Sequence, residues 1–200
     1  RERLYEELSE LRSQLKLPTV LVTHSIPEAQ LLADSMVVLH RGKTLQSGEP
    51  EWVYRHPAEP DVARLMGHRN VFAADAVRGA AGTVRLDWKG IALERSSRME
   101  EGPAAFCVAA DDVRLFDGDA TGRGNVVDAI VERVVPIGTS ITVHARASNG
   151  EPLTLSAQKK VLAKRGIGVG TPVRLSLMPE SIHVMPAPRT GICALRPGQV

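Results

Sequence analysis

Leucines at positions 4, 8, 11 and 15 recur at steps of four, three and four among Arg, Glu, Ser and Gln. That spacing puts one apolar stripe on a helix and predicts an amphipathic helix from Arg1 to about Lys16. No cap residue precedes it, so its natural start is expected upstream. After Pro18, the β-branched run Thr19-Val20-Leu21-Val22-Thr23 predicts a buried parallel strand. Pro27-Glu28-Ala29 opens a second helix, with Ala29, Leu31, Leu32 and Ala33 expected to turn inward. Met36–Leu39 and Lys43–Gln46 around Arg41-Gly42 predict a hairpin. Short helices are expected over Glu49–Tyr54 and Asp61–Met66, separated by the breaker run His56-Pro57-Ala58-Glu59-Pro60.

Beyond Gly67 the periodicity changes from helical to alternating. Runs at Val71–Val77, Thr83–Asp87, Ile91–Glu94, Ala105–Val108, Val126–Val135, Ile141–Ala147, Leu153–Ala157 and Val173–Leu177 are punctuated by glycines. This spacing predicts a β sandwich or small barrel. Asn149-Gly150 marks a hairpin turn between two of these runs. An internal repeat relates Asn70–Val77 to Asn125–Val131, and Val108–Leu115 to Leu177–Val184. It predicts two related barrel halves joined near Gly118–Gly124. Val126, Ile130, Ile141, Val143, Leu153, Leu155, Val173 and Leu175 are expected inside. The segment from 187 to 200, rich in Pro and Gly, is expected to be a flexible tail.

Composition narrows the function classes. Hydrophobic residues at 43% against 24% charged exclude wholesale disorder. Twenty-five Lys and Arg are interspersed with 23 Asp and Glu for a net charge of +2. With no basic stripe, nucleic acid is not an expected partner. Two cysteines, Cys107 and Cys193, build neither a disulfide framework nor a metal cluster, which fits a reduced cytosolic protein without a metal site.

No Gly-x-x-x-x-Gly-Lys-Ser/Thr loop, Gly-x-Gly-x-x-Gly loop, Gly-x-Ser-x-Gly elbow or Cys-x-x-Cys pair is present, so no complete catalytic site is expected in this chain. The sharpest local signal is Leu21-Val22-Thr23-His24-Ser25, followed by Glu28-Ala29 and Leu32-Ala33-Asp34. A histidine at the carboxyl end of a strand sits where open α/β sheets bind ligands, although a lone one is most often structural. The whole segment, continuing through Val37-Val38-Leu39, Arg41-Gly42 and Gly48, resembles the C-terminal part of the ATP-binding subunit of bacterial ABC importers. His24 matches that family's switch histidine, which reaches the γ-phosphate and attacking water of ATP. The resemblance implies ATP and Mg in the complete subunit, with none held tightly by this chain, which lacks the family's phosphate loop, signature motif and catalytic glutamate. On that basis the chain alone is expected to be inactive, and His24 is the candidate catalytic residue.

The later segments extend the likeness. Asn70-Val71-Phe72, Val108–Leu115 and Asn125–Val184 resemble the transport-associated oligobinding-like (TOBE) regulatory domain, and the last third is similar to small molybdate-binding modules. Ala109-Ala110 stands where sugar-type subunits carry Arg-Pro, and Asn70-Val71-Phe72 is closer to molybdate or tungstate subunits. The resulting expectation is an α/β fragment, the C-terminal part of an ABC ATPase domain over residues 1–69. An all-β domain of two small oligobinding-like barrels follows over 70–186. Expected partners are a second copy and the integral-membrane permease subunits, at the cytoplasmic face of the cell membrane. Two alternatives stand beside energy coupling. One is an oxyanion sensor using Asn125, Ser140, Ser156 and Ser181 as donors. The other is a purely dimerising structural domain.

Overall fold

The computed structural model describes residues 18–79, 83–96, 100–116, 118, 125–138 and 140–187. The expected helix at 1–16, most of the joining loop at 118–124 and the expected tail beyond 187 lie outside them.

The described chain opens with an extended segment and a small helical unit. Helix α1 (Ile26–Leu32) precedes a hairpin of β1 (Met36–His40) and β2 (Lys43–Gly48), and then come α2 (Pro50–Arg55) and α3 (Pro60–Leu65). Each helix begins at a proline in its first turn, where the missing N–H costs nothing. Val38, Val53, Val62 and Met66 close a compact core between hairpin and helices. Gln46 of β2 fixes the α2–α3 linker by donating to the His56 carbonyl at 2.9 Å and accepting from the Ala58 N–H at 2.7 Å.

Thr19–Thr23 forms no strand. Val20 and Val22 are 92% and 93% exposed, because the described residues offer no parallel sheet for this run to join. A β-branched run has strand propensity, but a strand requires a partner edge. Leu31 also faces outward, and of the four residues expected to turn inward on α1 only Ala29 is buried. No α/β layer is present among the described residues; the unit is helices on a two-stranded hairpin.

The remainder is two five-stranded antiparallel sheets. The first runs β12-β6-β3-β4-β5, formed by β3 (Asn70–Arg78), β4 (Thr83–Trp88), β5 (Ile91–Ser96), β6 (Gly102–Val108) and β12 (His183–Pro186). The second runs β10-β9-β8-β11-β7, from β7 (Val113–Leu115), β8 (Asn125–Ile137), β9 (Ser140–Ala147), β10 (Pro152–Gln158) and β11 (Pro172–Leu177). Helix α4 (Lys159–Lys164) joins β10 to β11, and a 3-10 turn at Pro179–Ser181 precedes β12.

The repeat seen in sequence is a repeat in space with its last strands exchanged. β3 to β6 correspond in order to β8 to β11. The strand after β6 crosses to pair with β11, and the strand after β11 crosses back to pair with β6. One core spans both sheets, with Phe72, Leu86, Trp88, Leu93 and Phe106 meeting Val127, Val143, Leu153, Leu155, Leu175 and Leu177. The two expected barrels are therefore two open sheets sharing one interior, and no described pairing closes either sheet on itself.

β8 corrects the expected interior. Asn125, Val127, Ala129 and Val131 point in, while Val126 and Ile130 face solvent at 39% and 55% exposure beside Asp128 and Glu132. The side-chain period of two allows one face only, and the acids fix which face is wet. The hairpin at Asn149-Gly150 forms as expected, with Gly150 at φ 84° in the left-handed region that glycine enters without strain.

Two buried asparagines tie the exchange together. Asn70, at the start of β3, accepts from the Thr154 N–H at 2.7 Å and donates to the Thr154 and Val108 carbonyls at 2.8 and 3.2 Å. Asn125, at the start of β8, accepts from the Glu94 N–H at 2.6 Å and donates to the Glu94 and Leu177 carbonyls at 3.0 and 3.2 Å. Thr154 lies in β10 and Glu94 in β5, so each amide carries its own sheet to the outer strand of the other.

Candidate functional site

His24 sits in the extended segment ahead of α1, and its imidazole is exposed. Its neighbours brace the backbone. The Thr23 hydroxyl donates to Glu28 Oε2 at 2.6 Å and accepts the Ser25 N–H at 3.0 Å, so the turn around His24 is pinned to the first turn of α1. Glu28, in the first turn of α1, takes this bracing role. The arrangement presents an imidazole to solvent from a fixed backbone, a geometry suited to a group arriving from outside the described chain.

The four candidate oxyanion donors are dispersed. Asn125 is buried and fully engaged by its three backbone bonds. Ser140 is exposed at the start of β9 opposite Ile137, the far end of β8 from Asn125. Ser156 is half-buried on β10 opposite Thr142, two rungs from Ser140 along the β9–β10 pair. Ser181 closes the 3-10 turn ahead of β12. Within one chain the four do not converge.

The side chains that do converge lie at the seam where the helical unit meets the first sheet. Ala63 of α3 packs on Ala105, Cys107 and Met185, and small side chains on both surfaces permit the close approach. Burial pushes the Cys107 thiol up to about 12, so it is inert packing rather than a nucleophile. Around this contact stand three histidines. His68 stacks on Tyr54 with ring centroids 4.4 Å apart and donates from Nε2 to the Tyr54 carbonyl at 2.8 Å. His183 of β12 donates from Nε2 to the Pro57 carbonyl at 2.9 Å and meets His56 edge-on at 5.6 Å. Burial holds both His68 and His183 below the usual imidazole range. Trp52 of α2 is half exposed and stacks on His56 at 5.3 Å. These histidines stand at positions 56, 68 and 183, and no spacing in the sequence announces that they meet.

Residues 106–185 match the model of the TOBE domain. The sulfate/thiosulfate import ATP-binding protein CysA of Burkholderia mallei is 32% identical over 187 residues, covering 94% of this chain and 51% of that protein. The chain is similar over most of its length to the C-terminal part of ATP-binding subunits of ABC importers, and it carries a TOBE match. The Fe(3+) ions import ATP-binding protein FbpC of Streptomyces avermitilis is 36% identical over 152 residues, 76% of this chain and 41% of that protein. The sn-glycerol-3-phosphate import ATP-binding protein UgpC of Brucella abortus is 27% identical, with coverages of 94% and 50%. The chain thus spans about half the length of the curated relatives it matches.

Among solved structures, the cytoplasmic molybdate-binding protein ModG, determined with molybdate bound, superimposes with a TM-score of 0.52 at 18% identity. It covers 61% of this chain and 98% of that one, and the likeness establishes the oligobinding-like fold of the TOBE region. No described helix is long and apolar enough to cross a membrane.

Proposed function

We propose that this chain is the energy-coupling C-terminal portion of an importer's ATP-hydrolysing subunit, with residues 1–69 completing the ATPase domain and 70–186 regulating it. The observation that carries the reading is similarity over 94% of the chain to import ATP-binding proteins. In the complete subunit ATP and Mg bind on residues outside this sequence, and the group this chain offers to a phosphate is the exposed, backbone-braced His24. An imidazole there donates to charge developing on the transferred phosphoryl group. The working assembly is a homodimer whose two ATPase domains face each other, docked on permease subunits at the inner face of the membrane. In the complete subunit, His24→Ala is expected to lower ATP turnover by about 100-fold or more, the usual worth of one charge-stabilising group, while ATP binding stays nearly unchanged. The chain by itself is expected to release no phosphate from ATP. Normal turnover in His24→Ala would reduce His24 to a structural residue.

A second reading is favoured by the fold shared with ModG. In it the TOBE region senses an oxyanion and adjusts transport, with Asn125, Ser140, Ser156 and Ser181 as donors. Because these four are dispersed within one chain, the reading requires donors from two copies at a shared seam. Equilibrium dialysis against molybdate, tungstate and sulfate is expected to show one saturable anion per copy or per pair; no binding of any of the three would leave the region a dimerising or structural domain.

A further inference from the structure

The duplicated fold makes its two halves comparable position by position. Asn70–Val77 repeats in Asn125–Val131, so the facing pair Ala73 and Ala105 of the first sheet corresponds to Asp128 and Arg174 of the second. On the first sheet this face is covered, with Ala63 of α3 packed on Ala105. On the second it stays open as a groove of about 740 Å³ lined by β8, β9 and β11. Its outward side chains come in rungs: Asp128 faces Arg174, and two residues along each strand Ile130 faces Pro172. Asp128 and Arg174 are both exposed, and neither side chain is hydrogen-bonded or ion-paired among the described residues. The Arg174 guanidinium lies over the Phe116 ring, 4.8 Å from its centroid, and so leans toward β7 and away from Asp128 on β8. The other charges of the groove are spent on each other, because Arg146 binds Glu132 through two nitrogens and gives a third bond to the Gly150 carbonyl at 2.9 Å.

We propose that this groove binds an aliphatic α-amino acid as its zwitterion. The site uses neither His24 nor the four oxyanion donors, and it goes beyond the energy-coupling reading. A lone carboxylate drawn to Arg174 meets Asp128 beside it, and a lone ammonium drawn to Asp128 meets Arg174. The neighbour of like sign opposes each, so a ligand carrying both charges is favoured over a ligand carrying one. The guanidinium fork, held in place by its stacking on Phe116, donates to the ligand carboxylate, and the Asp128 carboxylate accepts from the ammonium. The apolar rung of Ile130 and Pro172 lies about 7 Å along the strands from the charged rung, where an aliphatic side chain reaches it. Ile130 is 55% exposed in the open groove, so covering it adds a hydrophobic gain to the two charged contacts.

The test titrates L-leucine, L-leucinamide and N-acetyl-L-leucine into the full chain by calorimetry at about pH 6.5, where free amine and carboxylate are both ionised. Leucine is expected to saturate with a dissociation constant on the order of 1 mM. Each analogue carries one of the two charges and is expected to bind roughly tenfold more weakly or worse, the loss that follows from one missing charge-assisted contact. Arg174→Gln is expected to bind leucine and leucinamide alike, and Asp128→Asn to bind leucine and N-acetyl-leucine alike. Impaired folding cannot produce that crossing of specificities, and the comparison of ligands on the unaltered chain does not disturb the fold at all. A leucine titration that does not saturate, or equal affinity of the unaltered chain for leucine and either analogue, would overturn the site. Because ATP turnover and oxyanion binding use other residues, failure here leaves both earlier readings standing.

Discussion

Replacing Asn70 or Asn125 by alanine is expected to destabilise the two-sheet unit by about 3 kcal/mol, the largest loss from any single polar side chain in it. Each amide is spent entirely on backbone groups. Removing Asn70 takes a side-chain partner from the Thr154 N–H and the Thr154 and Val108 carbonyls, and removing Asn125 does the same to Glu94 and Leu177. Orphaned buried groups of this kind cost about 1–3 kcal/mol each, partly recovered where water enters. In urea the midpoint should fall without a change in slope, and the thermal midpoint should drop by roughly 10 °C. Asn70→Asp separates hydrogen bonding from packing. It preserves volume but turns a carboxylate toward two carbonyls, so its loss at neutral pH should match or exceed that of alanine and shrink on acidification. A loss below about 1 kcal/mol in both alanine variants would show that the exchange of β7 and β12 is held by apolar contacts alone.

Trp88→Ala is expected to cost about 3–5 kcal/mol, the range for deleting a large aromatic side chain from a core. Trp88 is completely buried, lies 4.6 Å from Phe72 and meets Phe106 edge-on at 5.6 Å, so its removal opens a cavity between the two sheets. Its indole N–H has no hydrogen-bond partner. Trp88→Phe should therefore lose little beyond volume, about 1.5 kcal/mol or less. Chemical denaturation of the two variants checks the contrast. Equal losses would mean that the indole N–H matters more than the space the ring fills.

Both variants bear on function because the same interior positions the seam. β6 and β12 lie side by side only because the strand after β11 crosses back, and that pairing brings His183 beside the α2–α3 linker. A variant that loosens the exchange should loosen the attachment of the helical unit as well.

Much of this protein was legible in its sequence. Period-two runs punctuated by glycine located eight of the strands, because a half-buried strand must alternate whatever sheet it joins. The repeat of Asn70–Val77 in Asn125–Val131, and of Val108–Leu115 in Leu177–Val184, announced a duplicated architecture, and the TOBE match and the importer relatives agree with the resemblance read from Leu21–Ser25 onward. What local sequence does not carry is the identity of the partner. Thr19–Thr23 reads as a buried strand, yet lies exposed, since burial belongs to the sheet that receives a run and not to the run itself. Val126 and Ile130 are as apolar as Val127 and Val131, and the neighbouring Asp128 and Glu132 decide the register once β8 meets β11. The short strands β7 and β12 are too brief to signal themselves and exist through their exchanged neighbours. Asn125 looked in sequence like a polar donor, but its three bonds go to residues 31 and 52 positions away. His56 and His183 stand 127 and 126 positions, respectively, from what each reaches across the seam. Contacts of that range are set by topology alone, so only the tertiary structure could place them together.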